Sequence, residues 1–281
     1  MSLNFLSPKM RIRGLVLLKS LILNSIDRIY VKFFGFFCPL CQHSFKRYLS
    51  LPSHYFSDYI KAGGKLNPNN SETLNIKNYQ CPTCKGADRD RLLLLYLESY
   101  FKKNNSQYFN ILDIAPSYPL IKNIKNVLNS LSIKFDYRTA DLHDPKVDDK
   151  VDVMDMNLYH NSTFDLLLCS HVLEHVKDDV KAMQEFHRVL SPNGQALLLV
   201  PINLEQENID EDPYLRDEQE IIRRFGQANH VRQYSKSGFV ERLINIGFSV
   251  NEFGIKEFGN KTFKKYALTK TSCLYVCSKV K

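Results

Sequence analysis

Two cysteine pairs stand at the spacing of a structural metal site. Cys38-Pro39-Leu40-Cys41 forms the first pair, and Cys81-Pro82-Thr83-Cys84 forms the second. Four thiolates from two such knuckles make the closed tetrahedral shell of structural zinc. A disulfide pair and a redox dithiol are the competing interpretations, but the chain shows no secretory signal. We therefore predict one structural Zn²⁺ ion bound by Cys38, Cys41, Cys81 and Cys84.

Carboxylates end two apolar segments in the middle of the chain. Residues 108–115 form a short apolar run that contains Asp113, and a helical pattern follows it. Residues 133–139 alternate apolar and polar as a second strand, which stops at Asp141. In nucleotide-binding folds, an acid after the second strand accepts hydrogen bonds from ribose hydroxyls. The order predicts a nucleotide site at the carboxyl edge of a parallel sheet, although no glycine lies between Gly86 and Gly194.

Three histidines lie near the ends of predicted elements. His171 and His175 follow the apolar run of residues 164–170, and His230 opens a His-Val-Arg-Gln-Tyr segment. An imidazole titrates near neutral pH and can act as a general base. An alternative is that His171, Glu174 and His175 bind a divalent ion, for which no fourth ligand is evident in the sequence.

The elements that must position these residues alternate along the chain. Apolar runs at residues 108–115, 164–170, 195–201 and 273–278 predict buried strands. Helical spacing follows the first run, and Asp178-Asp179 opens another helix after the second. Alternation of this kind predicts an α/β domain in which helices cover both faces of a largely parallel sheet.

Residues 164–201 resemble one family at almost every position. Their segments FDLLLCSHVLEHVKDD, EFHRVLSPNG and LLLVP resemble class I S-adenosylmethionine (SAM) dependent methyltransferases of type 11. Asp113-Ile114-Ala115-Pro116 resembles the first motif in a bacterial subgroup that also carries an amino-terminal cysteine-rich segment. The resemblance covers roughly residues 81–281. It implies a Rossmann-like, seven-stranded, mostly parallel sheet with an antiparallel last strand, plus a small zinc-ribbon-like amino-terminal module.

The resemblance also implies a cofactor and its contacts. SAM is the expected cofactor, and the acid that accepts from the adenine amino group is Asp152, with Asp155 as second choice. The implied cofactor contacts are Asp113, Ala115, Pro116, Ser117, Asp141, Leu142, Asp152, Val153, Cys169 and Ser170. Because a sulfonium methyl group is already activated, the enzyme must mainly align the acceptor and, for a hydroxyl, remove a proton. His171 and His230, the latter in a segment that resembles the subgroup's HVRxY, are the candidate catalytic bases.

Arginines begin the helix that follows the second cysteine pair. Arg89-Asp90-Arg91 resembles the subgroup's basic helix start without its central histidine. One hypothesis is that these arginines anchor an acidic substrate or the SAM carboxylate. The other is that they pair with acids in the middle of the chain.

Positive charge is concentrated at the amino terminus. Residues 1–65 contain ten Lys or Arg and two acids, which accounts for the net charge of +8. The pattern of residues 10–34 predicts a basic amphipathic helix. This helix either rests on an anionic membrane surface or packs on the catalytic domain. It is too short and too polar to span a bilayer. We expect a cytoplasmic protein with possible peripheral membrane contact and no predictable oligomeric state.

The predicted domains are a basic segment (1–37), a zinc module (38–86) with an exposed inserted loop (63–75), and a methyltransferase domain (87–281) with a substrate lid (203–229). The preferred function is O-methylation of a small molecule or glycan precursor. One rival is a ribosomal RNA methyltransferase with a zinc-bearing recognition module, which would explain the basic first third. Another is a zinc-binding adaptor with a degenerate, non-catalytic core.

Overall fold

The computed structural model describes residues 35–64 and 70–280. The predicted amphipathic segment therefore lies outside the described residues. The described strands are β1 (Phe36–Phe37), β2 (Ser44–Phe45), β3 (Tyr108–Ile114), β4 (Lys134–Asp141), β5 (Asp149–Lys150), β6 (Phe164–Ser170), β7 (Leu190–Leu199), β8 (Asp210–Glu211), β9 (Arg232–Gln233), β10 (Phe248–Phe253) and β11 (Leu274–Lys279). The described helices are α1 (Ser53–Lys61), α2 (Asp88–Lys103), α3 (Tyr118–Ser130), α4 (Asp179–Val189), α5 (Glu218–Phe225), α6 (Lys236–Ile246), α7 (Ile255–Phe258) and α8 (Asn260–Lys265).

A seven-stranded sheet forms the centre, in the order β10-β11-β7-β6-β3-β4-β5. The five strands from β7 to β5 run parallel, and β11 is antiparallel to both of its neighbours. Consecutive leucines of β6 are buried on both faces because helices cover both sides of the sheet. The predicted Rossmann-like α/β class, its strand number and its antiparallel last strand are confirmed.

Each face of the sheet has its own core. One core joins Leu166 of β6 to Leu92 of α2, Ile124 of α3 and Phe263 of α8. The other places Leu167 against side chains of α4 and α6. Successive residues of one strand thus serve opposite cores, as the pleat requires. The sheet is held between two helical layers, which leaves the loops at the carboxyl ends of its parallel strands free to form a site.

The Ser-Pro-Asn-Gly segment at 191–194 follows the end of α4 and lies inside β7, which begins before the strand predicted at residues 195–201. Phe164 pairs with Leu190 and Leu166 pairs with Gln195, so residues 191–194 form a bulge inside β7. The bulge keeps Phe164 in register with the end of α4 while the ladder resumes at Gln195.

The segment between the cysteine pairs docks on the catalytic domain. Antiparallel pairing of Leu49 with Gln80 closes its base. Further along, the Glu72 amide donates to the Ile202 carbonyl at 3.1 Å, and Thr73 Oγ1 donates to the Cys273 carbonyl at 3.2 Å. The expectation of an exposed loop is therefore wrong for residues 70–75, because Glu72 and Thr73 are buried. Hydrogen bonds to residues far along the chain, rather than local composition, determine where residues 70–75 pack.

Arg91 connects residues 38–86, which we refer to as the cysteine module, to the carboxyl-terminal part of the chain. The side chain is fully buried, and its guanidinium donates to the carbonyls of Asn78, Tyr79 and Tyr266 at 2.6 to 3.2 Å. Neither expected role applies to Arg91: it pairs with backbone carbonyls, and it lines neither cavity described below.

The helices within residues 35–64 and 70–280 include none with the length and apolar character of a membrane span.

Candidate functional site

A cavity of about 580 Å³ lies at the carboxyl edge of the sheet, beyond β3, β4 and β6. Of the predicted cofactor contacts, it is lined by Ala115, Asp141, Leu142, Asp152 and Val153. Five residues that the resemblance assigned to different motifs therefore share one cavity. We refer to it as the cofactor cavity.

The two cavity-lining acids are held by their own loops. Asp141 Oδ1 accepts hydrogen bonds from the His143 and Asp144 amides at 2.6 and 2.8 Å, which fixes the turn after β4. Asp152 Oδ1 accepts from the Met154 amide at 2.9 Å. In each case the second carboxylate oxygen remains available to a ligand donor. Asp155 is exposed and does not line the cavity, so the geometry favours Asp152 over Asp155.

The turn after β3 takes a glycine-like conformation without a glycine. Ala115 has φ of +49°, in the left-handed region, and its amide donates to the Ala140 carbonyl at 2.8 Å. This conformation costs a residue with a Cβ roughly 1 kcal/mol. The backbone path that other nucleotide-binding turns reach with glycine is thus present in this chain.

The other predicted cofactor contacts do not line the cofactor cavity. Asp113 is buried, and its Oδ2 accepts a hydrogen bond from the Tyr137 hydroxyl at 2.7 Å. Burial raises the pKa of Asp113 to about 7, although the Tyr137 hydrogen bond opposes the rise. Asp113, Pro116, Ser117, Cys169 and Ser170 are absent from the residues that line the cofactor cavity.

A second cavity of about 370 Å³ adjoins the first, and His171 and His175 line both. One wall of this second cavity comes from α1 and the segment after it, with the aromatic side chains Tyr55, Phe56, Tyr59 and Tyr79. Gln227, His230 and Gln233 also line this cavity. We refer to it as the acceptor cavity.

Sequence reasoning missed most of the acceptor cavity. The aromatic residues of α1 lie at 55, 56 and 59, a helical spacing that could have indicated one apolar face. That face packs over a site whose other residues come from distant segments. Arg89, for which the sequence leaves both an anchoring role and ion pairing open, lines this cavity, where its Nη1 donates to the Tyr79 hydroxyl at 2.9 Å.

His171 occupies the boundary between the two cavities. Its φ of +58° lies in the left-handed region, and its amide donates to the Leu199 carbonyl at 2.9 Å. Burial lowers the pKa of His171 well below its ordinary value, and the charge of Arg89 adds to the effect. The imidazole is therefore neutral at pH 7 and can accept a proton.

Three more ionisable groups converge beside His171. Glu174 is fully buried, and the ligand atoms of Glu174, His175 and His230 all lie within 4.8 Å of one another. Burial raises the pKa of Glu174 to about 8 and lowers the pKa of His230 to about 4. Among the described residues, both carboxylate oxygens of Glu174 lack a hydrogen-bond partner. The sequence-based metal hypothesis included Glu174 and His175 but not His230.

A buried arginine fixes the loop that carries His171, Glu174 and His175. Arg232 Nη1 donates to the Leu173 and Val176 carbonyls, and Arg232 Nη2 donates to the Lys177 carbonyl at 3.1 Å. Arg232 Nε donates to Glu211 at 3.0 Å. The segment that resembles HVRxY therefore has two structural roles. Arg232 holds the loop, and His230 lines the acceptor cavity.

The four paired cysteines form a separate cluster. Cys38 Sγ lies 3.8 Å from Cys84 Sγ, and Cys41 Sγ lies 3.7 Å from Cys81 Sγ. These separations rule out disulfides, whose sulfurs are about 2.05 Å apart. They match the edge of about 3.8 Å that a tetrahedron with Zn–S bonds of about 2.3 Å has.

The two knuckles share one backbone geometry. The Cys38 amide donates to the His43 carbonyl, as the Cys81 amide donates to Gly86. Gln42 and Lys85, which each follow the second cysteine of a pair, have φ of +58° and +64°. The chain therefore presents both cysteine pairs in the same way.

Residues 98–198 match the family model described as a methyltransferase domain. The matched stretch covers about a third of the chain. The matched residues run from α2 to β7 and include all of the predicted cofactor contacts. The match, together with the sheet order, supports a SAM-dependent methyltransferase of class I. No curated protein matches the chain.

Solved structures with a similar fold include three methyltransferases. The methyltransferase domain of citrinin polyketide synthase is 14% identical with a TM-score of 0.46, covering 71% of this chain and 54% of its own. A SAM-dependent methyltransferase from Mesorhizobium loti is 14% identical with a TM-score of 0.45, covering 70% and 100%. The 1,6-didemethyltoxoflavin-N1-methyltransferase of Burkholderia thailandensis, with bound S-adenosylhomocysteine, is 14% identical with a TM-score of 0.44, covering 68% and 77%. The chain spans about half the length of the first of these structures.

Proposed function

We propose that the protein uses SAM to methylate an oxygen of a small, hydroxyl-bearing acceptor of carbohydrate type. The observation that carries the proposal is the pair of adjoining cavities with His171 and His175 in their common wall. A methyl donor in one cavity and an acceptor in the other would meet at these histidines. Such placement is the main requirement for transfer from an activated methyl group.

The cofactor cavity offers the groups that SAM needs. Asp141 has a free carboxylate oxygen for the ribose hydroxyls, and Asp152 has one for the adenine amino group. The left-handed turn at Ala115 carries only a methyl side chain, so the backbone can come close to the ligand. When bound there, SAM supplies a methyl group that needs no further activation.

The acceptor cavity has the surface of a sugar site. Aromatic rings from α1 provide faces for the apolar side of a sugar ring, and the Gln227 and Gln233 amides can both donate and accept hydrogen bonds. Arg89 adds a site for an acidic substituent such as a carboxylate or phosphate. Among the described residues that line the cavity, Arg89 is the one Lys or Arg, so the cavity is not a basic groove, which favours a small acceptor over RNA.

His171 is the preferred base among the two candidates. It borders both cavities, whereas His230 lines only the acceptor cavity and donates its Nδ1 proton to the Phe225 carbonyl at 2.8 Å. His171 would take the proton of the acceptor hydroxyl as the oxygen is methylated. Its neutral imidazole at pH 7 suits this role.

The cysteine cluster would hold one structural zinc ion, and the lid would complete the acceptor cavity. Residues 225–227 and His230 line that cavity, which supports a substrate lid at 203–229. The sulfur separations of 3.7 and 3.8 Å fit zinc without rearrangement. A single closed shell of this kind has a structural role, not a catalytic one.

A transfer assay tests the proposal. Purified protein is incubated with methyl-labelled SAM and, separately, a glycan and metabolite extract or total RNA. Label in the extract, with its methyl group on oxygen, is the expected result. Label only in RNA, with salt-sensitive binding that depends on Arg11, Arg13, Lys46 and Arg47, would reverse the choice of acceptor. No heat with either SAM or S-adenosylhomocysteine in calorimetry would favour the adaptor hypothesis.

A further inference from the structure

We propose that Glu174, His175 and His230 form a binding site for one divalent transition-metal ion, separate from the cysteine cluster. Three observations carry the proposal: an unpartnered buried carboxylate, two imidazoles with fixed tautomers, and the convergence of all three side chains. The site opens into the acceptor cavity.

No hydrogen bond among the described residues explains the burial of the Glu174 carboxylate. Its side chain is fully buried, yet neither carboxylate oxygen has a hydrogen-bond partner among residues 35–64 and 70–280. Oε1 lies 3.4 Å from His171 Nδ1 and 3.9 Å from His175 Nε2, and the positive charges of Arg89 and Arg232 favour its ionised form. An unpaired buried carboxylate is strongly destabilising unless it pairs or coordinates a metal. A cation held between the carboxylate and the imidazole lone pairs would satisfy these groups together.

Both histidines are oriented as metal ligands. His175 Nδ1 lies 3.1 Å from the Asn229 carbonyl, and His230 Nδ1 lies 2.8 Å from the Phe225 carbonyl. A carbonyl oxygen only accepts, so each Nδ1 carries the proton and each Nε2 keeps its lone pair. Backbone carbonyls are the usual partners that fix the tautomer of a ligating histidine. The two rings lie with centroids 4.7 Å apart, and the residues share the acceptor cavity with Glu174.

The donor set selects the class of ion. One carboxylate and two imidazoles suit zinc, iron, cobalt or nickel better than magnesium or calcium, which prefer oxygen ligands. Ligand atoms about 2.1 Å from an ion lie roughly 3 to 4 Å apart. The observed spread of up to 4.8 Å therefore requires the side chains to move together by about 1 Å, which side-chain rotation alone supplies.

The ion would act on the acceptor, and this role rests on the proposed function. Three protein ligands leave coordination positions open, and they face the cavity where the acceptor would bind. Two neighbouring hydroxyls of a sugar can occupy those positions. Coordination lowers the pKa of the hydroxyl, and His171 takes its proton. The oxygen then bonds to the methyl carbon while the carbon–sulfur bond breaks, which leaves a neutral thioether and a protonated imidazole.

Cobalt binding tests the site without cofactor or acceptor. Co²⁺ is titrated into zinc-loaded full-length protein, and its visible absorption reports ligand type. We expect one equivalent of Co²⁺ with the weak spectrum of nitrogen and oxygen ligands and without thiolate charge transfer. At about 100 times the Kd, Co²⁺ should raise Tm by roughly 4 °C. A methyltransferase that does not use a metal would fail only this experiment, and a metal-binding protein that transfers no methyl group would fail only the transfer assay.

Matched variants separate the site from adventitious binding. Glu174→Gln and His230→Gln should each weaken Co²⁺ binding by about tenfold or more, while His160→Gln, an exposed histidine, should leave it unchanged. Without metal, Glu174→Gln should melt no lower than the parent, because it removes a buried carboxylate that lacks a partner. No binding by the parent, equal binding by Glu174→Gln, or a thiolate spectrum would each overturn the proposal.

Discussion

The two cavities of this protein are assembled in different ways. The cofactor cavity draws nearly all of its walls from residues 114–177, with Asn229 as the distant contributor. The acceptor cavity takes its walls from the cysteine module, the start of α2, the loop after β6 and the segment after α5. When one continuous stretch of chain forms a site, the spacing of the site residues along the sequence can be recognised as a motif. A site built from many segments has no such spacing, so its ligand must be inferred from surface chemistry.

The cavities also differ in their dependence on the cysteine cluster. No described residue before Ile114 lines the cofactor cavity, whereas α1 and residues 71–79 form a wall of the acceptor cavity. That wall is tied at its base by the Leu49–Gln80 pairing, next to both cysteine pairs. Loss of zinc should therefore damage acceptor binding and spare cofactor binding.

The largest effect is expected from removing two zinc ligands. Cys38→Ser with Cys81→Ser should lower bound zinc below half an equivalent and reduce methyl transfer by about 100-fold or more, since structural zinc contributes directly to folding. Binding of S-adenosylhomocysteine, measured by calorimetry, should stay within about threefold, because no described residue of the cysteine module lines the cofactor cavity. Cys277→Ala, which removes a buried thiol outside the cluster, is the control. Equal loss of both activities would show that the two regions are not separable.

Replacing the shared histidine should affect chemistry more than cofactor binding. His171→Asn is suitable because asparagine tolerates the left-handed φ of this position. If His171 is the base, kcat should fall by about 10² to 10⁴, with cofactor affinity little changed. A parallel His230→Asn variant measures the alternative base, and His160→Gln serves as control. A His171→Asn enzyme with normal kcat would remove His171 from the mechanism.

The cofactor cavity should respond to its ribose acid by a smaller factor. Asp141→Ala is expected to weaken S-adenosylhomocysteine binding by about 10- to 100-fold, the value of hydrogen bonds to a charged group. Asp141→Asn keeps an oxygen for the turn to His143 and Asp144, so it separates loop stability from the contact with ribose. Asp136→Ala on the same strand is exposed and should change nothing. Unaltered binding in Asp141→Ala would leave the fold intact and refute this residue assignment.

The smallest effect concerns stability against pH. Because burial raises the pKa of Asp113 to about 7, the folded chain holds this proton between roughly pH 4 and 7, whereas the unfolded chain releases it. Asp113 therefore lowers stability as pH rises through that window. Asp113→Asn should raise the free energy of unfolding at pH 8 by about 2 kcal/mol and change little at pH 4. Denaturant unfolding at both pH values checks the sign, which the opposite trend would contradict.

Local pattern was sufficient for the sheet but not for the cysteine module. The leucines of β6 and the turn after β3 predicted their elements because burial on both faces leaves a continuous apolar run. Glu72 gave no such signal: its carboxylate is buried against the Tyr275 hydroxyl at 2.8 Å and Lys236 at 3.1 Å, partners far along the chain. Composition predicted an exposed loop there because it reports nothing about distant partners. The two hypotheses for Arg91 failed for the same reason, because its partners include the Tyr266 carbonyl, which is distant in the sequence.

The bond between Thr73 and Cys273 joins residues 200 positions apart, and Glu72 meets Tyr275 in the same place. During synthesis the ribosome makes β11 last among the strands of the sheet, so this wall can dock only when the carboxyl-terminal strand has emerged. Residues 98–198 complete most of the cofactor cavity much earlier. On the proposed function, a nascent chain would hold SAM before it could hold an acceptor, and methyl transfer would begin only after β11 has been made.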